Sequence, residues 1–396
     1  MKDGNKLVLV NPDYPPPLFG GGGVYLFNLV DNSPDPFDIM AAPLPVGMRE
    51  MSSPRHKVIR SRFLVRSDDP TTLQLFIMYL YLFFWVLRIG ILREYKLVVF
   101  FTSAIGNGFF SALLRLLRIK IVGITLAEEI PLARRARGWK GMLKRLCIKG
   151  YPCADGFISN CDFAKDILLD LGVDADRICV IPSPICHSKY RPGPTESNPR
   201  RDGRYEVLTV GRLVKRKGVH LVIEAIDILR AEVPNVHLTV VGDGAEMAAL
   251  MEQVERRGLQ GQVTFRGAMY DDEELSRVYN SCDLFVLANL MLEDGNCEGT
   301  PNVLIEASAH RKPVIAGVEG GTSSAVKDGV TGYLIDPRDV RTMAGVMKNT
   351  LLDRELAARL GAAGRRKVEE EHDPVKAGHQ FSAFLRHVIG DTLERI

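Results

Sequence analysis

Short apolar, β-branched runs alternate along this chain with longer stretches of helical period, and this alternation is what most restricts its fold. Such an order predicts parallel sheets joined by right-handed helical crossovers. In the first half the runs predict strands near 6–11, 96–102, 120–125, 155–160 and 177–181. Helices are expected between them near 23–30, 72–92, 106–118, 138–149 and 162–171. Residues 31–70, proline-rich and then basic, fit neither pattern. A polar stretch at 189–204 carries three prolines and two glycines, which is linker composition. The alternation then resumes, with strands expected near 205–210, 237–242, 263–266, 284–288, 314–316 and 332–335 before a mostly helical tail. A length of 396 residues accommodates two such domains. Their expected bounds are 1–188 and 205–373, joined by the 189–204 linker.

The composition is that of a globular protein, with 46% apolar and 25% charged residues. A net charge of +3 gives no ground for a nucleic-acid partner. Seven scattered cysteines show no paired metal spacing, so a reducing cytoplasmic setting is expected. The first residues, Met1 to Lys6, run into the first strand without a signal-peptide pattern.

The most informative local stretch is Glu298-Gly-Thr-Pro-Asn-Val-Leu-Ile-Glu306. Pro301 suits the first position of a helix, where a missing N–H costs nothing. The helix start then presents backbone N–H groups, among them those of Asn302 and Val303, and the positive end of a dipole. That is an anion site, and phosphate is the common occupant. Glu298 lies before the helix and Glu306 about one and a half turns within it, so each carboxylate can accept from hydroxyls at one end of a ligand. Two hydroxyl acceptors flanking a phosphate cradle describe a nucleotide-sugar. The plainer alternative is a capped helix with two solvated acids. Upstream, the strand Val207-Leu-Thr-Val210 runs into Gly211-Arg-Leu-Val-Lys-Arg-Lys217-Gly218 and a helix. Arg212 and Lys217 there suit a diphosphate, the first as a fork and the second as a mobile point charge. Lys215 and Arg216 read as a solvated basic loop.

Taken in order, Gly211-Arg212-Leu213 with Lys217-Gly218, Gly242-Asp243-Gly244, and Glu298 followed after seven residues by Glu306 resemble the retaining glycosyltransferases of family 4. Further matches are Gly20 to Gly23 with Tyr25 and Asn28, Val180-Ile-Pro182-Ser-Pro184, and Gly320-Gly321 followed by Val326 to Gly332. The resemblance implies the GT-B fold: two Rossmann-like α/β domains facing a cleft, with a final helix, 374–396, crossing back to the N-terminal domain. It further implies an acceptor-side first domain and a nucleotide-sugar-binding second domain. The activity implied is transfer of a hexose from a UDP- or GDP-sugar to a hydroxyl, with retained configuration. Arg212 and Lys217 would stabilise the departing diphosphate, helped by the amides of Gly299, Thr300, Pro301's neighbours Asn302 and Val303. Glu306 would hold ribose hydroxyls and Glu298 the donor sugar. Gly21, Gly22 and Gly23 would let the backbone approach donor or acceptor closely, unless they form a plain turn, and Gly242 and Gly244 would flank the donor. No cofactor and no metal is expected, because Arg and Lys meet the phosphate charge.

One departure concerns the position after the strand ending at Thr125, where the family often has a histidine. The matching residue here is Ala127. Glu128 or Glu129 would take over a sugar contact, or else serve only as helix-start acids. His187, in a loop before the linker, reads as incidental.

Two segments bear on membranes. Leu73 to Leu92 is long and apolar enough to span a bilayer, but a span would separate strands that must share a sheet, so a covered or partly lipid-facing helix is expected. Residues 134–149 interleave cations with Trp139, Met142, Leu143 and Leu146, either as a helix on an anionic membrane surface or as a solvated basic helix. The membrane reading implies a lipid-linked sugar or other glycan precursor as acceptor, met at the inner face of the cell membrane. Two alternatives to a transferase remain: a non-catalytic nucleotide-binding or scaffold subunit of a glycan-assembly complex, and an epimerase, for which no paired acid and base are found.

Overall fold

The computed structural model describes residues 6–16, 20–50, 55–66, 71–101, 110–111, 113–127, 129–135, 138–186, 190, 192 and 203–390. The chain divides into two compact units, one of residues 1–184 with 374–396, the other of residues 185–373.

The first unit is built on a seven-stranded sheet, all pairs parallel, of β1 (Leu7–Val10), β2 (Phe37–Ala41), β3 (Lys57–Arg60), β4 (Leu97–Phe101), β5 (Lys120–Thr125), β6 (Gly156–Ser159) and β7 (Ile178–Val180). The order is β3-β2-β1-β4-β5-β6-β7. Strands covered on both faces read as unbroken apolar runs, and every residue of Leu-Val-Leu-Val in β1 and Leu-Val-Val-Phe-Phe in β4 is buried. Strands β2 and β3 fall in the stretch that the sequence pattern left without elements. Phe-Asp-Ile-Met-Ala and the edge strand Lys-Val-Ile-Arg are short and carry charges, so neither stands out as a strand.

One face of this sheet is covered by α2 (Thr72–Leu92), the helical residues 113–116, α3 (Glu129–Arg135), α4 (Gly138–Lys149) and α5 (Asp162–Leu169), which share one core. The helix expected at 138–149 is α4, opened by Gly138 with φ +71°, and the basic residues Arg134 and Arg135 belong to the separate helix α3. Gln74 serves α2 as half of a capping box, its side chain accepting from the Thr71 N–H at 2.8 Å while its own N–H donates to the Thr71 hydroxyl.

The other face holds α1 (Gly20–Asp31) and the last helix, α12 (Pro374–Ile389), around a second core. Gly20 to Gly23, expected as a loop, instead form the first turn of α1. Tyr25 and Asn28 of α1 donate to the carbonyls of Ile181 (3.1 Å) and Pro184 (2.8 Å). Helix α12 is last in sequence but belongs to this unit. Phe381 stacks on Phe37 with centroids 5.5 Å apart, and Arg386 forks onto the buried Asp35 at 2.6 and 3.0 Å.

The second unit repeats the plan with six parallel strands, β8 (Tyr205–Val210), β9 (Val236–Val241), β10 (Val263–Phe265), β11 (Leu284–Leu287), β12 (Val314–Gly317) and β13 (Gly332–Ile335), in the order β10-β9-β8-β11-β12-β13. Between and after them run α6 (Val219–Leu229), α7 (Met247–Arg256), α8 (Asp272–Ser281), α9 (Asn302–Ala309), α10 (Val340–Leu352) and α11 (Arg354–Glu371). Two apolar cores sandwich the sheet.

Candidate functional site

In the second sheet β8 lies between β9 and β11, so the winding reverses between β8 and β11. Doubly wound sheets bind ligands beyond the carboxyl ends of the strands at such a reversal. The loops there, 211–218 after β8 and 288–301 after β11, are the two that the sequence singled out. Gly218 closes the first with φ +65°, and a Cβ on it would fall 1.8 Å from the Ala288 carbonyl oxygen. Only glycine permits that contact between the loops. Gly242 and Gly244, in the turn after β9, press on the same loop: a Cβ there would meet the carbonyl oxygens of Gly211 and Leu213 at 1.9 and 2.5 Å.

The first loop contains one 3₁₀ turn, Lys215–Lys217, and a turn of that pitch sends successive side chains in different directions. Lys215 and Arg212 are exposed, whereas Arg216 and Lys217 are buried. Lys217 Nζ donates to Glu298 Oε2 at 2.9 Å, and Arg216 Nη1 lies 2.9 Å from Oε1. Side-chain exposures are 11% for Lys217, 8% for Arg216 and 9% for Glu298. Arg216, expected in a solvated loop, is thus an inner member of a buried triad. Its role was illegible because nothing in Lys-Arg-Lys says which cation the turn directs inward. Burial alone would raise the Glu298 carboxyl, but Lys217, Arg216 and, more weakly, Arg212 outweigh it and hold the acid below its ordinary value. Glu298 is a carboxylate whose oxygens are both turned to cations.

The second loop is anchored by the N–H of Gly321, which donates to the Glu298 carbonyl at 3.0 Å, and by Thr300, whose hydroxyl lies 2.9 Å from that of Ser324. Pro301 caps α9 rather than opening it, with φ −72° and ψ 104°. Asn302 and Val303 are therefore the first two helical residues, and the helix directs its positive end toward Gly299 and Thr300.

Glu306 lies one turn further on, partly exposed. Burial raises its carboxyl above the ordinary value, a hydrogen bond from Tyr279 and the charge of Lys217 oppose this, and Asp272 adds to it. Lys217 therefore acts on both acids, and the two carboxylates and the amine form one constellation. Tyr279, in α8, escaped the sequence reading. Its hydroxyl donates to Glu306 Oε2 at 2.8 Å, and its ring stacks on His310 at 5.0 Å. His310 Nδ1 lies 2.8 Å from the Glu306 carbonyl and Nε2 lies 2.8 Å from the Ser276 hydroxyl. A carbonyl only accepts, so Nδ1 carries the proton and Nε2 accepts from Ser276. Burial, with Lys312 and Arg365 nearby, brings His310 down to about 4 despite that carbonyl, so the ring is neutral. Sequence gave no signal for these residues, because Tyr279 sits in a markedly acidic helix and His310 just past a helix end.

The remaining site candidates lie in the first unit. Gly22 packs beyond β4 and β5, where a Cβ would meet Leu126 at 2.8 Å and Phe101 at 3.5 Å, and Gly23 faces open space. Gly21 precedes them in the same helical turn. Ala127 follows β5, buried, with φ +84°, and so brings no polar group to the family's histidine position. Glu129 begins α3. Glu128 and His187 lie outside the described residues. Among the described residues, no three His, Cys, Asp or Glu gather as metal ligands.

Residues 195–367 match the model of the glycosyl transferases group 1. The chain is 34% identical over 216 residues to a GDP-mannose-dependent alpha-(1-6)-phosphatidylinositol monomannoside mannosyltransferase of Mycobacterium tuberculosis, covering 54% of each chain. It is 29% identical over 182 residues to the amylovoran biosynthesis glycosyltransferase AmsK of Erwinia amylovora, covering 46% of this chain and 44% of that one. The chain thus spans about half the length of the curated relatives it matches. Solved structures match over nearly the whole chain. Sucrose-phosphate synthase from Thermosynechococcus elongatus has a TM-score of 0.77 at 20% identity, covering 98% of this chain and 100% of that one. HepE of Anabaena, solved in complex with UDP, has a TM-score of 0.74 at 19% identity, covering 96% and 100%. The chain thus has two parallel α/β units of the GT-B fold, and its stretch 195–367, which spans both site loops, matches the glycosyl transferases group 1.

Proposed function

We propose that this protein transfers a hexose from a UDP- or GDP-sugar to a hydroxyl of a lipid-linked sugar or other glycan precursor at a membrane surface, with retention and without a metal. The observation that carries the reading is Lys217, one amine acting on both Glu298 and Glu306 at the strand ends where a doubly wound sheet binds its ligand. Cleavage of a sugar–phosphate bond leaves a diphosphate anion and an oxocarbenium-like sugar. Groups that bind the departing diphosphate more tightly than the intact donor lower that barrier. Arg212, Arg216 and Lys217 bring three cations against the two carboxyl groups of Glu298 and Glu306, so the cluster keeps a surplus for phosphate.

Glu306, steadied by Tyr279, suits ribose hydroxyls, and Glu298 suits the sugar's. A carboxylate already committed to two cations is a poor nucleophile. Retention is therefore assigned to a front-face route, in which the leaving phosphate oxygen takes the acceptor's proton as the new glycosidic bond forms. One relative named above is GDP-mannose-dependent, and one solved neighbour binds UDP, which supports a nucleotide-sugar donor without choosing the base. Ala127 favours a second reading, a nucleotide-binding scaffold subunit without transferase activity, because it leaves the histidine position apolar. Incubation with a panel of nucleotide-sugars separates the two. Slow release of UDP or GDP, abolished in Lys217→Ala and in Glu306→Ala, is the expected result; turnover unchanged in both variants would refute the site. Binding of nucleotide with no release from any donor would favour the scaffold.

A further inference from the structure

Helix α2 is apolar on two opposite sides, and the protein covers only one of them. Met78, Leu82, Trp85, Val86 and Ile89 are buried in the core under the first sheet. On the other side Leu73, Phe76, Ile77, Leu80, Phe84 and Ile91 are exposed, Phe76 by 63%, Phe84 by 61% and Ile91 by 76%. At 3.6 residues per turn these six share one stripe, about 27 Å long at 1.5 Å per residue. Phe63 widens it, stacked on Tyr81 at 5.1 Å with the Arg62 guanidinium 5.0 Å from its ring. A contiguous apolar surface of this kind marks a contact site rather than chance exposure.

Charge identifies what covers it. Residues 71–149 hold thirteen Lys and Arg against three Asp and Glu, in a chain whose net charge is only +3. The remainder of the protein is therefore acidic, and the cations are concentrated in the segment of chain that carries this stripe. Arg88 and Arg93 lie exposed at its C-terminal end. Arg134 and Arg135 of α3 and Arg145 and Lys149 of α4 are exposed too. Ile130, Ala133 and Ile148 of those helices enter the same core as α2, so all three helices cover one face of the sheet. A protein groove would match the apolar stripe but not the excess of cations, and a nucleic acid the reverse. An anionic bilayer matches both, with acyl chains for the stripe and headgroup phosphates for the cations.

The topology excludes a span. Helix α2 connects β3 to β4, and both belong to one sheet, so its two ends stay on the same side of a membrane.

We propose that the first unit docks flat on an anionic phospholipid surface, with the Leu73–Ile91 stripe of α2 lying in the interface and the cations of α3 and α4 on the headgroups. This deepens the proposed function by naming the surface where a lipid-linked acceptor is met, and it rests on that function for this link alone.

Flotation of the full chain with vesicles tests it. The protein should float with phosphatidylglycerol–phosphatidylcholine vesicles, much less with phosphatidylcholine alone, and be released by alkaline carbonate. Phe76→Ser, Leu80→Ser and Phe84→Ser together should weaken binding at least about tenfold with no loss of thermal stability, since all three are exposed. Arg134→Glu with Arg135→Glu should abolish the preference for the anionic lipid. No flotation of the unaltered protein, equal flotation of the triple variant, resistance to carbonate, or a stripe that instead holds two copies of the chain together would each overturn the proposal. Nucleotide release by the triple variant, read without vesicles, should stay unchanged. Its absence in the unaltered protein with flotation intact would sink the catalytic reading and leave the membrane surface standing.

Discussion

Lys217 is buried, and its contact with Glu298 is set by a single 3₁₀ turn whose glycine stop only glycine can occupy. Two of the acids' neighbours are uncharged: Tyr279 donates to Glu306, and His310 steadies the Tyr279 ring from beneath. These residues carry different pH signatures. His310 is brought from 6.5 to about 4 by burial, so the unfolded chain binds the extra proton first. Its contribution to stability is complete above pH 6.5 and is lost as pH falls from 6.5 toward 4, on the order of 3 kcal/mol at most. Glu298 works in the same sense at lower pH, since its depressed carboxyl contributes stability above its unfolded value and loses it on further acidification. Chemical unfolding at pH 7 and pH 5 should show a marked loss in the unaltered protein and a smaller loss in His310→Asn, which keeps a donor near the Glu306 carbonyl. An equal loss in both would contradict the assignment of His310 as neutral and buried.

Among the elements, the strands covered on both faces were legible from sequence, because full coverage writes an unbroken apolar run, as in β1, β4 and β11. Strand β3 was not, since an edge strand need not be apolar throughout and Lys57 and Arg60 end it. Helix α2 was legible in extent but not in its two faces, because both are apolar and only packing tells the inner from the outer. Gly20 to Gly23 show the opposite failure: glycine composition signals a loop, and tertiary contact makes a helix turn. Helix α12 was legible as part of a helical tail, its membership in the first unit came from the resemblance alone, and its attachment rests on Phe381 and Arg386. Phe381→Ala should remove about 3–5 kcal/mol from the first unit by emptying the space above Phe37. Calorimetry should show the transition that includes this unit shifted down, and a shift of less than a degree would contradict the role of α12 as a structural member of it.

At the scale of the molecule, two sheets of the same winding are built from one alternating pattern, and the reversal in strand order fixes where each can bind. In the second unit the sequence marked both loops at that reversal, because glycines and charges accumulate where backbone must meet phosphate. It could not show that Arg216 turns inward or that Tyr279 arrives from another helix, because both follow from packing between segments far apart in the chain. On the proposed function, Lys217 grips the diphosphate of a nucleotide-sugar from its place beside Glu298. Calorimetric titration of UDP, GDP, uridine and guanosine into the unaltered protein and Lys217→Ala tests this directly. A charge-assisted bond of about 1.5–3 kcal/mol predicts that the diphosphate's advantage over its nucleoside falls roughly ten- to hundredfold in the variant, with nucleoside affinity unchanged. An advantage that survives intact, or a loss shared equally by nucleoside and nucleotide, would contradict it.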